Sequence, residues 1–227
     1  MPDDFDPFER EFLHRACRIA SGIDLVVCGK YRTHHFESEG RADVFLHDDR
    51  TGDSIEAIFA PGGMVITGVA HESSVSPSNL DSPYCRSKIS LQRERLLPRV
   101  GIFDEVPATL MRRVKKRPGD RWRTVTFCYW YEDVDDEWYS GDVEKDEDED
   151  EGGWLMGNLP RDAERLVDYF EDALGESWPK SRIDAVEAVF EFGKITDAHI
   201  EAWKPGAKKS RSSYAKLTKQ LAELGLR

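Results

Sequence analysis

Apolar positions recur at two periods along this chain, and the change between them divides it. Near the start, Phe8, Phe12, Leu13, Ala16, Ile19 and Ala20 fall at helical spacing. Asp6, Pro7 and Glu9 stand ahead of them as N-cap, first-turn proline and capping-box partner, and Gly22 follows as a stop, which predicts an N-terminal helix. Short runs rich in β-branched and aromatic residues come next, at 24–31, 42–47, 54–60 and 64–70. The turn Asp49-Arg50-Thr51-Gly52-Asp53 and the turn Pro61-Gly62-Gly63 join the last three runs. Connections this short demand antiparallel neighbours, so the predicted sheet is a meander. Residues 73–99 hold three prolines and seven serines and read as a long ordered loop. A short helix is predicted from Pro107, burying Leu110, Met111 and Val114. The most aromatic strand is predicted over 122–131, with Trp122, Phe127, Tyr129, Trp130 and Tyr131.

From Pro160 the helical period returns. Ala163, Leu166, Val167, Phe170 and Leu174 form one stripe, stopped by Gly175. Ile183, Val186, Val189 and Phe190 form a second, with Ser181 as N-cap and Gly193 as stop. Thr196 caps a third helix holding Ile200 and Trp203, and Tyr214, Leu217, Leu221 and Leu224 form a fourth, ended by Gly225. None is long enough to be stable alone in water. The expected fold class is therefore α+β: an antiparallel meander packed against an N-terminal helix and a C-terminal group of about four helices. At 227 residues a single domain is expected over 1–227, mainly sheet with its helix to 157, helical over 158–227, and interrupted by an acidic loop at 142–152.

Charge changes this picture at one place. The segment 132–151, EDVDDEWYSGDVEKDEDEDE, holds thirteen acids and one base, a net −12. The whole chain carries 44 acids and 32 bases, also −12, so everything outside the segment is neutral. Part of the segment is expected to pair as a strand before 142–151 loops out, because Trp138 and Tyr139 lie within it. Basic stretches oppose it: 86–123 carries +8 and 204–227 carries +6. The anionic overall field disfavours phosphate-backbone binding, so no nucleic-acid partner is expected. No apolar run reaches the length of a membrane span, and no basic-then-apolar leader opens the sequence, so no membrane association and a cytoplasmic location are expected. Cys17, Cys28, Cys85 and Cys128 are spaced by 11, 57 and 43 residues, which fits no paired metal-thiolate motif; reduced, mostly buried thiols are expected.

The candidate chemistry is sparse. Asp146, Asp148 and Asp150 have the spacing of the first calcium-loop ligands, but the loop's required glycine and closing glutamate are replaced by Glu151 and Gly157. His34 and His35 are adjacent on an extended run and point to opposite sides, and with His47 they match no metal spacing. No metal and no cofactor are expected. His71, Glu72 and Ser73 end a strand and enter the serine-rich loop. A general-base histidine oriented by Glu72 is one reading; an anchor that ties down the backbone of 73–85 is the plainer one.

Four stretches then follow in a familiar order: TGVAHESSVSP at 67–77, VTFCYWYEDVDDEWYSGDV at 125–143, GGWLMGNL at 152–159 and VEAVFEFGKITDAHIEAW at 186–203. They resemble a bacterial polymorphic-toxin immunity-like protein family, marked by a His-Glu-Ser-x-x-Ser-Pro stretch and a Thr-Phe-Cys-x-Trp strand. The resemblance covers roughly 60–205; the acidic run at 144–151 and the basic C-terminal stretch depart from it. It implies binding and neutralisation of a cognate toxin, and no catalytic residues. The acidic residues Asp135, Asp136, Glu137, Asp142, Glu144, Asp146, Asp148 and Asp150, with Trp138 and Tyr139 as aromatic anchors, are the expected surface for a basic protein partner. Trp130 and Trp154 flank it. The alternatives are a protein–protein interaction module unrelated to toxins and a hydrolase using His71 and Glu72.

Overall fold

The computed structural model describes residues 9–76, 100–141, 143 and 152–227. The fold is α+β: an N-terminal helix, a six-stranded antiparallel meander and several C-terminal helices. It separates into two compact units. One holds 38–158, with the sheet from its second strand onward; the other joins 8–37, with the N-terminal helix and most of the first strand, to 159–227.

The sheet order is β1 (His34–Glu39), β2 (Ala42–Asp48), β3 (Ser54–Ala60), β4 (Gly63–Val69), β5 (Phe127–Glu132) and β6 (Glu137–Ser140). The register builds continuous rows. Val44, Ile58, Val65, Trp130 and Tyr139 lie side by side on one face. That face packs on α2 (Ala108–Lys115) through Leu110 and Val114. Phe59, Met64, Tyr131 and Trp138 make a row of opposite parity, because alternate residues of a strand face opposite sides. The β3–β4 connection is two residues long and closes on Gly63, whose φ is 159°. A Cβ there would lie 2.3 Å from the carbonyl oxygen of Tyr131, so β5 approaches β4 only because this position has no side chain. A buried ion pair lies under one end of the sheet's third strand. Arg117 Nε donates to Glu56 Oε1 at 2.7 Å, and Arg117 also bonds the Glu39 carboxylate.

The helical unit is organised around α1 (Arg10–Val27), with α3 (Ala163–Leu174), α4 (Lys180–Phe192), α5 (Asp197–Trp203) and α6 (Arg211–Glu223). Ile19, Ile23 and Val26 share its core with Phe170, Val186, Val189, Ile200, Trp203 and Leu221. Asp162 caps α3, and Thr196 with His199 forms a capping box on α5. Gly175 and Gly193 stop α3 and α4 in the left-handed conformation. Trp178 stacks on Phe170 with ring centroids 5.3 Å apart. The last turn of α1 carries a buried polar knot. Asp24 Oδ2 accepts from the backbone N–H of Thr33 (2.8 Å) and of His34 (2.8 Å), from the Thr33 hydroxyl (3.1 Å) and from His34 Nδ1 (3.0 Å). Thr33 Oγ1 also hydrogen-bonds the Tyr169 hydroxyl.

Several expectations are corrected. Residues 24–31 are not a strand: α1 runs through them to Val27, and a 3-10 turn covers Gly29–Tyr31. The run is apolar because Ile23, Leu25 and Val26 are buried in the helical core. Gly22 does not stop the helix. It lies inside α1, where a Cβ would meet Leu226 Cδ1 at 2.3 Å, so its small size admits the chain's last residues. Phe12 is 44% exposed and lies off the buried face. Glu9 precedes α1 as its N-cap rather than completing a capping box, and Asp6, Pro7 and Phe8 lie outside the described residues. The aromatic strand begins at Phe127; Trp122 lies in a 3-10 turn, Pro118–Arg123. Pro179, not Ser181, is the N-cap of α4. His34 opens a strand, β1, that periodicity did not reveal. Cys17 and Cys128 are buried free thiols, pushed up in pKa by burial, and Cys85 lies outside the described residues. Among the described residues, no helix is long and apolar enough to cross a membrane.

Candidate functional site

The described part of the acidic segment is an ordered hairpin at the end of the sheet. β5 and β6 pair antiparallel, with Glu132 opposite Glu137 and Tyr131 opposite Trp138. The reversal between them closes when the Asp136 N–H donates to the Glu132 carbonyl at 3.0 Å, with Asp136 at a φ of 54°. Aspartate tolerates that left-handed conformation better than most residues. The Tyr131 hydroxyl donates to the Asp136 carboxylate and steadies the turn. Asp133, Val134, Asp135, Asp136 and Glu137 are all exposed, Val134 at 87%. Five carboxylates therefore stand within six consecutive residues, Glu132 to Glu137, with no base among them.

The aromatic residues sort into two roles. Trp130 is buried and belongs to the core; Tyr139 stacks against it with centroids 5.8 Å apart and planes within 18°. Trp138 lies on the other face of β6, 5.7 Å from the Tyr131 ring. Trp138 and Tyr139 are half-buried, and Trp154 is 58% exposed. The Tyr139 hydroxyl donates to Asp135 and Glu137, each at 3.3 Å. Its pKa is raised, by removal from water and then by those two negative charges. β6 is the last strand in the sheet order, so the acidic hairpin occupies a sheet edge. An edge of this kind offers backbone donors and acceptors to another chain, and charge is what normally keeps unspecific strands away from it. Of the expected partner surface, Asp135, Asp136, Glu137, Trp138 and Tyr139 are thus brought together. Asp142, Glu144, Asp146, Asp148 and Asp150 lie outside the described residues.

His71 is held differently from the expected backbone anchor. Its Nδ1 and its backbone N–H both bond Asp53 Oδ1 at 2.8 Å, across the β2–β3 turn. The turn is itself organised by Asp49, whose carboxylate accepts from the N–H groups of Thr51 (2.7 Å), Gly52 (3.2 Å) and Asp53 (3.1 Å). His71 Nε2 faces Glu72 at 3.6 Å, and Glu72 is exposed. The pKa of His71 is raised, first by the hydrogen bond to Asp53 and then by the surrounding carboxylates. Ser73 is buried, and its hydroxyl accepts from the Val75 N–H at 3.2 Å. Among the described residues, no hydroxyl is hydrogen-bonded to His71. The missed partner was Asp53. The meander places it opposite the end of β4, since Ser54 pairs with Val69. The rest of the 73–85 loop falls outside the described residues from 77 onward.

Among the described residues, no group of three or more His, Cys, Asp and Glu side chains is arranged to hold a metal ion. His34 is committed to Asp24, and His35 is half-buried with its pKa lowered by burial and then by Arg32. Comparison of the chain with protein-family models, with curated proteins and with solved structures finds no match.

Proposed function

We propose that this chain is an inhibitor of the immunity type, which binds a basic protein partner, a cognate toxin, through the acidic end of its sheet. The observation that supports this most is the concentration of the chain's whole net charge in 132–151, together with a hairpin of five carboxylates, four of them exposed, beside Trp138 and Tyr139. Carboxylates fixed on a hairpin steer a basic partner into place, and electrostatic steering raises association to about 10⁸–10⁹ M⁻¹s⁻¹ at low salt. Aromatic side chains at the rim of such a patch supply the contact area that holds the complex.

The test is co-expression with the polypeptide encoded beside this gene. If that polypeptide arrests growth, the wild-type chain restores it and the variant D133N/D135N/D136N/E137Q restores it poorly. A growth-neutral neighbour that still binds would favour the non-toxin interaction module. Full rescue by the quadruple variant and by W138A would remove the hairpin from the interface.

A further inference from the structure

The first turn of α5 is a hub of the helical unit, and one titratable ring closes it. Asp197, the first residue of the helix, accepts from the Tyr214 hydroxyl of α6 (2.6 Å), from Lys208 Nζ (2.8 Å) and from Arg227 Nη2 (2.6 Å). Just ahead of it, the Ile195 N–H donates to the Leu226 carbonyl at 2.7 Å, and Arg227 Nη1 donates to the Ile195 carbonyl at 3.1 Å. Both α6 and residues 226–227 are therefore attached at 195–197. The capping box closes this turn: the His199 N–H donates to Thr196 Oγ1 at 3.4 Å, and His199 Nδ1 accepts from the Thr196 N–H at 3.2 Å. A capping box ordinarily has glutamate or glutamine at this third helical position, and neither changes charge near neutral pH. Here the acceptor is an imidazole nitrogen, which accepts only while it is unprotonated.

We propose that this turn is a pH-operated clasp: neutral His199 holds α5, α6 and residues 226–227 together, and protonation of the ring opens the box and loosens them. In imidazolium both ring nitrogens are donors, so Nδ1 then faces the Thr196 N–H donor to donor. A positive charge in the first turn of a helix also opposes the helix dipole. His199 is half-buried, and removal from water holds its pKa below the usual histidine value, while a backbone hydrogen bond at Lys194 pulls the other way. Among the described residues, no charged side chain contributes to that lowering. The Trp203 ring lies 5.9 Å away and is fixed by its indole N–H, which donates to the Arg182 carbonyl at 3.1 Å. The charged groups around the turn are committed elsewhere. On α5, Glu201 accepts from the Gly206 N–H at 2.8 Å, and Lys208, Tyr214 and Arg227 hold the Asp197 carboxyl well below the usual carboxylate range. On α4, Arg182 bonds Glu176 at 2.7 Å; on α1, Arg15 donates to the Glu191 carbonyl at 2.7 Å and Arg18 reaches Gly225. Lys194, before α5, and Lys209, in the 3-10 turn Ala207–Lys209 after it, are exposed. Folding thus favours the neutral ring. The clasp is fully closed above the unfolded histidine value of about 6.5 and is lost as pH falls through that value and the lower folded one.

The experiment is NMR on the full chain between about pH 8 and pH 5, the range in which histidine titrates. Imidazole shifts give the protonation midpoint of His199. Hydrogen-exchange protection factors, which divide out the intrinsic pH dependence of exchange, read the clasp at the Thr196 and Ile195 amides. Protection of both should fall by about five-fold from the alkaline to the acid end, the weight of a typical helix cap at about 1 kcal/mol. His199→Gln keeps an acceptor at the third position and removes the titration, so its protection should stay flat. If H199Q melts lower than wild type at the alkaline end, H199E replaces it with the same expectation. Asp24, whose pKa is about 2, stays ionised throughout this range and does not contribute. A His199 midpoint at or above about 6.5 overturns the proposal. So does wild-type protection of Ile195 that is unchanged across the range, or an equal fall in the glutamine and glutamate variants.

Discussion

Acidification should loosen the helical unit through one buried carboxylate, Asp24. Its Oδ2 accepts four hydrogen bonds from Thr33 and His34, and it has no exposure to solvent. Burial alone would raise its pKa, but the hydrogen bonds and the charge of His34 outweigh it and bring it down from 3.8 to about 2. The folded-state pKa lies below the unfolded one, so folding favours the ionised form. The stabilisation is complete above the unfolded value and is lost as pH falls through the folded value. At about 1.36 kcal/mol per unit the shift is worth on the order of 2 kcal/mol, of which about 1.5 kcal/mol is gone by pH 2.5. Asp24→Asn keeps the shape and removes the titration. Urea unfolding of wild type and D24N, followed by circular dichroism from pH 6 to pH 2.5, should show their stability difference shrinking by about that amount. Hydrogen exchange at the Thr33 and His34 amides reads the same knot locally, and D24A should expose both amides at pH 6. A wild type to D24N difference that stays constant down to pH 2.5 would refute the reasoning.

Three further outcomes are expected. Arg117→Ala leaves Glu56 buried without its guanidinium partner and should cost about 3–5 kcal/mol in denaturant unfolding, with E56Q added to it recovering part of the loss. Gly22→Leu cannot be seated against Leu226 and Ile195 and should lower the melting temperature sharply, whereas Gly22→Ala sets about 1 kcal/mol of helix propensity against about 1–3 kcal/mol of overpacking and should come out mildly destabilising. Once a partner is in hand, neutralising Asp133, Asp135, Asp136 and Glu137 should slow association by about ten-fold at low salt, with the effect shrinking as salt rises and the free protein's stability unchanged or slightly higher; stopped-flow rates at two ionic strengths check this.

The elements legible in the sequence were those specified by local rules. The stops at Gly175 and Gly193 and the cap at Thr196 act within one helical turn, and the structure places them as read. The turns at 49–53 and 61–63 are too short for a crossover, so the meander of β2, β3 and β4 followed from length alone. The acidic segment was legible too, because thirteen acids in twenty residues need no tertiary information, and Trp138 and Tyr139 marked the part of it that pairs as a strand. Tertiary structure decided the rest. Residues 24–27 carry Asp-Leu-Val-Val, a run that a strand and a fully buried helix end share, and only the helical core packed around Ile23, Leu25 and Val26 makes them helix. Gly22 reads as a stop until Leu226, more than two hundred residues later, occupies the space its side chain would fill. Asp53 meets His71 because two hairpins bring their ends to the same place, and Lys30 and Arg32 share a cavity with Lys204 and Lys216 because α1 packs among the C-terminal helices. A single sequence records periodicity and punctuation over a few residues; which distant side chains meet depends on burying the apolar stripes together, and that is settled only when the chain is folded.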